Sequence, residues 1–227
     1  MKIGIFSDIH GNLYAFEKVL ERLKKEKLDR YIFCGDLCGY YYHQNVIAEM
    51  LESLENLVSV MGNHDKLFLD ALEDEARLYS YSERYGNSLR ELRTTVSPRT
   101  LFFLRSLPEH YVDPEIDLAV FHGSPWNPLC EYIYPTDPIE RFNALPYRYV
   151  ILGHTHYAML RRANGIQIIN PGSCGQPRDA NLPSFSVLDT ESGEVRFERI
   201  PYDLRPLIAE IKSRNETNPY LVQVLQR

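Results

Sequence analysis

Five short sequences, each at a turn behind an apolar run, constrain this chain more than any other feature: Asp8-Ile9-His10, Gly35-Asp36, Gly62-Asn63-His64-Asp65, His122-Gly123 and Gly153-His154-Thr155-His156. Five of the seven histidines fall inside them. A strand that ends in a loop fixes that loop in space, so ligand-type residues behind several strands can converge on one point. Carboxylate oxygen and imidazole nitrogen are donors that hard and borderline divalent ions accept, and an Asp carboxylate can bridge two such ions. Together the fragments describe a dinuclear metal site.

Taken singly, the fragments differ in force. The i, i+2 spacing of Asp8 and His10 on an extended segment would send both side chains to one side. Gly35-Asp36 alone reads equally as a simple turn. In Gly62-Asn63-His64-Asp65, Asn63 offers an oxygen ligand, and the carboxylate of Asp65 next to His64 can fix an imidazole tautomer; a Gly-Asn turn capped by Asp65 is the plainer reading. His154 and His156 follow the apolar run Tyr149-Val150-Ile151-Leu152 and are harder to explain as ordinary loop histidines.

The spacing of apolar residues predicts strands over residues 2–6, 31–34, 57–60, 118–121 and 149–152, with helices over 13–27 and 46–54 between the first three. The first third therefore alternates β and α, with ligand types at the C-terminal ends of its strands, the edge where ligands collect in open α/β sheets. Residues 65–107 read as a helical insertion rich in Tyr and charge and free of ligand candidates, with Ser97 capping a helix that starts at Pro98. Its tyrosines read as packing rather than a substrate cradle. Hairpins follow around Asn164-Gly165 and Ser192-Gly193, and a closing helix over 204–214.

With 227 residues and 44% apolar composition, one globular domain over 1–227 is expected. Lys and Arg total 25 against 31 Asp and Glu, a net charge of −6, which lacks the basic footprint of a nucleic-acid binder. The first residues run directly into the Asp8 fragment, leaving no room for a signal peptide, and no apolar stretch reaches membrane-spanning length, so a cytoplasmic protein is expected. Cys34, Cys38, Cys130 and Cys174 have no zinc-knuckle spacing and read as reduced thiols; the sharper alternative is a redox or thiolate role for Cys34 and Cys38 around Asp36.

The order D-x-H, G-D, G-N-H-D, H-G, G-H-T-H resembles the calcineurin-like metallophosphoesterase superfamily. Asn170-Pro171-Gly172-Ser173 with Gln176-Pro177-Arg178 is similar to the segment that closes the site in its small bacterial and archaeal, phosphodiesterase-like branch. The resemblance implies an α/β fold, a four-layer β-sandwich flanked by helices. It also implies one ion on Asp8, His10, Asp36 and His156 and a second on Asp36, Asn63, His122 and His154, with Asp36 as the bridge. Manganese leads the candidates, with Fe, Ni, Zn or Mg as others. A bridged pair roughly 3.5–4 Å apart can hold a hydroxide for in-line attack on phosphorus. His64, backed by Asp65, is the implied general acid.

The expected activity is hydrolysis of a phosphodiester, a phosphomonoester or a dinucleoside polyphosphate, with a small phosphoester or nucleotide as partner. A protein phosphatase and a non-catalytic metal-binding scaffold of the same fold are the alternatives, and homo-oligomerisation stays open. Arg178 is a candidate phosphate clamp or a surface salt bridge. Asn12 orients a ligand or makes a turn. Tyr40, Tyr41 and Tyr42 form an aromatic lip for a base or an exposed packing patch. His110 is expected in solvent.

Overall fold

The computed structural model describes residues 1–214 and 216–226. Two five-stranded mixed sheets pack face to face. The first has the order β10-β9-β1-β2-β3 and the second β4-β5-β6-β8-β7. Strands β1 (Lys2–Phe6), β2 (Arg30–Phe33) and β3 (Leu57–Ser59) run parallel, joined by α1 (Leu13–Leu23) and α2 (Gln44–Glu52). In the second sheet β5 (Leu118–Phe121), β6 (Tyr149–Ile151) and β8 (Ile166–Pro171) form a matching parallel core. Antiparallel strands complete the edges: β4 (His110–Asp113), β7 (Ala158–Ala163), β9 (Ser184–Asp189) and β10 (Glu194–Arg199).

Strand alternation assigns each side chain to a layer. Ile3, Ile5 and Ile32 of the first sheet meet Leu118, Val120, Tyr149, Ile151 and Ile169 of the second in a common core. Phe6 and Phe33 face the other way, against Phe16, Val19, Leu20 and Leu23 of α1 and Ile47, Ala48 and Leu51 of α2. Helix α1 ends at Leu23, short of the expected Lys27, because Lys24 to Lys27 adds no apolar residue to that face. The outer face of the second sheet is covered by the loop from His122 to Arg148, whose 3₁₀ turn at Glu140–Ala144 buries Phe142.

The expected helical insertion is four helices: α3 (Asn63–Ala71), α4 (Glu75–Tyr85), α5 (Ser88–Thr95) and α6 (Pro98–Ser106). Ser97 caps α6, its hydroxyl accepting the Thr100 N–H at 3.0 Å. At the Asn164-Gly165 hairpin both residues take positive φ, 47° and 86°, as a tight two-residue turn needs. Two C-terminal helices, α7 (Arg205–Ser213) and α8 (Tyr220–Gln223), pack over Tyr40 and Tyr41. Among the described residues no helix is long and apolar enough to cross a membrane.

Candidate metal centre

All five ligand fragments follow strands whose C-terminal ends point to the same edge of the sandwich: β1, β2 and β3 from one sheet, β5 and β6 from the other. Convergence follows from this topology. Asp8, His10 and His156 form one buried group whose donor atoms lie within 4.8 Å of one another, and Asp36, His122 and His154 form a second.

Asp36 lies between the groups. Its Oδ2 is 3.6 Å from His10 Nε2 and 3.4 Å from His122 Nε2, one imidazole of each group. Its Oδ1 accepts the His64 backbone N–H at 2.8 Å, at the positive end of α3. Asn63 joins the second group, with Oδ1 2.9 Å from His122 Nε2.

Hydrogen bonds behind the ligands set their tautomers. Nδ1 of His10, His122 and His156 meets the carbonyl oxygens of Cys38, Cys34 and Gln176 at 2.7, 2.7 and 2.6 Å, and only a protonated nitrogen can donate there. In the neutral rings of His10 and His156 each Nε2 is left with a lone pair aimed at the centre, whereas His122 Nε2, 3.4 Å from Asp36 Oδ2, faces a carboxylate that favours a proton there. His10 Nε2 and His156 Nε2 then face each other at 3.1 Å as two acceptors, an arrangement that a cation resolves. Asp8 Oδ1, Asp36 Oδ2 and His154 Nε2 are buried with no hydrogen-bond partner. Such orphaned donor-ready atoms are costly unless they serve a ligand, so the residues present fit two divalent ions.

The backbone bears the same mark. Asp8, His10, Asp36, His154 and His156 all have positive φ, between 52° and 66°, a region non-glycine residues rarely occupy. The extended geometry expected for Asp8 and His10 is therefore replaced by a turn after β1 ends at Phe6, and that turn still delivers both side chains to one point. Close packing supports it. A Cβ on Gly62 would collide with the backbone nitrogen and carboxylate of Asp36, so this position admits glycine for contact reasons.

Charge is balanced inside the metal-free centre. Burial opposes ionisation of Asp8 and Asp36, but His156 beside the first, and His122, His64 and His10 beside the second, hold both well below the usual carboxylate range. His122 is pushed up to about 9: burial disfavours its charge, and the Asp36 carboxylate outweighs burial. Burial and the neighbouring His122 push His154 down to about 3. Burial likewise lowers His10 and His64. A proton on His122 thus stands where a metal cation would.

The structure corrects several expected roles. Asp65 does not hydrogen-bond the His64 ring. Its carboxylate accepts the backbone N–H groups of Asp36 (2.9 Å), Cys38 (2.8 Å) and Gly62 (3.0 Å), tying the loop after β2 to the start of α3. Burial first, and the Asp36 charge second, push Asp65 up to about 6. His64 is buried beside the first group, its ring 5.0 Å from His10, and its Nδ1 has no hydrogen-bond partner. Asn12 is fully buried and caps α1; its Oδ1 accepts the Ala15 N–H, and its Nδ2 donates to the Gly175 carbonyl and the Tyr202 hydroxyl. Every side-chain polar atom of Asn12 is engaged within the protein, so the ligand-orienting reading falls.

Tyr41 is also fully buried, its hydroxyl donating to the Leu221 carbonyl at 3.1 Å, and Tyr40 is nearly so; the exposed lip over 40–42 does not exist. Tyr40 instead walls the centre, edge-on to His10 at 4.6 Å and 5.1 Å from His64. Tyr85, from the insertion, lies 4.7 Å from His64. Arg178 is half-buried and donates from Nη2 to the Tyr40 hydroxyl at 3.2 Å. The cysteines Cys34, Cys38, Cys130 and Cys174 are free thiols, and the first two serve the site through their carbonyls. His110 is exposed, stacked on Phe121.

One residue was not legible beforehand. Tyr132, 45% exposed, stacks on His154 at 3.8 Å and continues into a parallel pair with Tyr134. Its loop has no periodic pattern, and only Tyr-x-Tyr beside a proline hinted at it. Size does not locate the centre either: a hollow of about 450 Å³ beside Arg90, Arg93 and Arg214 contains no ligand residue.

Comparison with known proteins agrees with this geometry. The model of the calcineurin-like phosphoesterase superfamily domain matches residues 1–193. An uncharacterized protein of Methanocaldococcus jannaschii is 30% identical over 92% of this chain and 91% of its own length. A phosphodiesterase of the same organism is 27% identical over 86% of this chain and 97% of its own. The crystal structure of a metallophosphoesterase from Sphaerobacter thermophilus superposes with a TM-score of 0.86 at 28% identity, covering 100% of this chain and 98% of that one. With the matched model spanning every ligand fragment, the chain belongs to the calcineurin-like phosphoesterase superfamily.

Proposed function

We propose that the protein is a dinuclear-metal phosphoesterase that hydrolyses a small organic phosphoester, a phosphodiester foremost. The observation that carries this reading is the meeting of two buried ligand groups at the unpartnered Asp36 Oδ2. Asp8, His10, Asp36 and His156 would hold one ion, and Asp36, Asn63, His122 and His154 the other. Bound there, two divalent ions supply Lewis-acid charge for the phosphoryl oxygens and acidify a water to a nucleophile at neutral pH. A mixed nitrogen and oxygen donor set accepts several divalent ions, with manganese the first candidate to assay and Fe, Ni, Zn and Mg as others.

The chain's own residues do the rest. Three backbone carbonyls lock the imidazoles in their ligating tautomer, so no reorganisation is needed when substrate arrives. His64 lies beside the first group with Nδ1 uncommitted, which supports it as the acid for the departing oxygen. Burial keeps its ring neutral before binding, and a phosphoester anion alongside would raise its proton affinity so that it can protonate the leaving group. Arg178, anchored on Tyr40, would grip a phosphate oxygen.

Nitrophenolate release from bis(p-nitrophenyl) phosphate by the full chain tests the reading. Release should require added divalent ion, stop with chelator and return when ion is restored. Undiminished release from fully stripped protein, or none from protein carrying its ions, would refute it.

A further inference from the structure

Beside the centre lies an open hollow of about 390 Å³ lined by Tyr40, Arg84, Tyr85, Arg178 and Tyr220. Tyr40 and Tyr85 are shared walls, since both pack on His64, so a group seated in the hollow is continuous with the reacting centre. Its two cations come from well-separated parts of the sequence: Arg84 from α4 of the insertion, and Arg178 from the segment after β8.

Among the described residues no carboxylate lies within ion-pair distance of Arg84 or Arg178. Arg22, Arg30, Arg99, Arg141 and Arg199 have carboxylate partners; Arg84 and Arg178 are among the arginines that have none among the described residues, and these two share one hollow. Arg178 Nε is moreover buried with no hydrogen-bond partner. A buried guanidinium N–H without a protein acceptor suits an anion, which would satisfy both its charge and its donor. The phenols of Tyr40 and Tyr85 beside it are neutral and do not repel one.

We infer that this hollow is a second anion subsite, and that the substrate class is an organic phosphoester carrying another phosphoryl group beyond the one cleaved. The inference rests on the phosphoesterase reading and deepens it. The scissile phosphate sits at the Asp36 centre while the second phosphoryl group spans Arg178 and Arg84, with Arg84 acting as a specificity residue supplied by the insertion. Forked guanidiniums suit two or more oxygens of a terminal phosphate better than the single charge of a carboxylate.

The test compares two probes on the metal-loaded full chain: thymidine 5′-(p-nitrophenyl phosphate) and the same ester with a 3′-phosphate, both read as nitrophenolate. The wild type should prefer the doubly phosphorylated probe by about tenfold or more in kcat/KM, the scale of one charge-assisted contact. Arg84→Ala should collapse that ratio toward one, and Arg84→Lys should restore part of it. Arg84 is exposed, so its removal leaves the core intact. Equal kcat/KM for the two probes in the wild type, or an unchanged ratio in Arg84→Ala, overturns the subsite and leaves the phosphoesterase reading standing. Failure of both probes while bis(p-nitrophenyl) phosphate is still cleaved overturns the subsite alone; failure of all three with ions present overturns the phosphoesterase reading itself, and the subsite with it.

Discussion

The Asp65 carboxylate accepts the Asp36 backbone N–H at 2.9 Å, so one buried acid fixes the loop on which the other, the proposed bridging ligand, is mounted. Asp65→Ala strands three buried N–H groups, each costing about 1–3 kcal/mol when unsatisfied. The expected result is an unfolding free energy lowered by at least about 3 kcal/mol, with weaker metal binding. Chemical melts with metal analysis check it. A variant of native stability with full metal content and slow turnover would return Asp65 to a role behind His64.

His64→Ala should keep its ions and lose turnover. General acids contribute about 10²- to 10⁴-fold, and a leaving group that is already a stable anion needs little help. Rates on an alkyl and a nitrophenyl phosphodiester, with bound metal counted, should show the alkyl ester suffering far more. Equal slowing would assign His64 to charge stabilisation, and a lost ion would make it a ligand.

Metal affinity should rise with pH. In the metal-free centre Asp36 holds the His122 proton up to about 9, whereas a ligating imidazole must be neutral. Binding therefore expels that proton at any pH below about 9, and affinity climbs by up to about tenfold per pH unit until that point. Calorimetry in buffers of different ionisation enthalpy should find about one proton released near pH 7.5. Release of none would contradict the assignment of His122.

Tyr41→Ala should behave as a core lesion. A fully buried aromatic whose hydroxyl bonds the Leu221 carbonyl costs about 3–5 kcal/mol when truncated. Thermal melts should show that loss, with nucleotide and simple aryl phosphodiesters affected alike. A selective loss on nucleotides would instead make Tyr41 part of a base-binding surface.

These residues also show what was legible in the sequence. Ligand fragments announce themselves because each stands directly behind an apolar strand, and parallel strands in both sheets bring their ends to one edge. The His64–Asp65 pairing misled because adjacency in sequence is not adjacency in a helix: α3 begins at Asn63, and successive residues on a helix project in different directions. Tyr40 and Tyr41 read as exposed because their cover, α7 and α8, arrives from the far end of the chain. Strand β4, His110–Asp113, is an edge strand with half its residues exposed and no apolar run to reveal it. Asn12 carries ligand-type atoms, but its capping bond and its contacts to Gly175 and Tyr202 depend on tertiary neighbours.

The central claim is that Asp36 bridges two ions, and metal stoichiometry of Asp36→Asn against wild type tests it most directly. An amide is neutral and a poor bridge between cations, whereas the hydrophobic cores on either side of the site do not depend on it. Plasma emission analysis after reconstitution should give two ions per wild-type chain and at most one weakly held ion in Asp36→Asn, with the fold preserved by circular dichroism. Two tightly held ions in the variant, or a wild type that never takes more than one, would contradict the account.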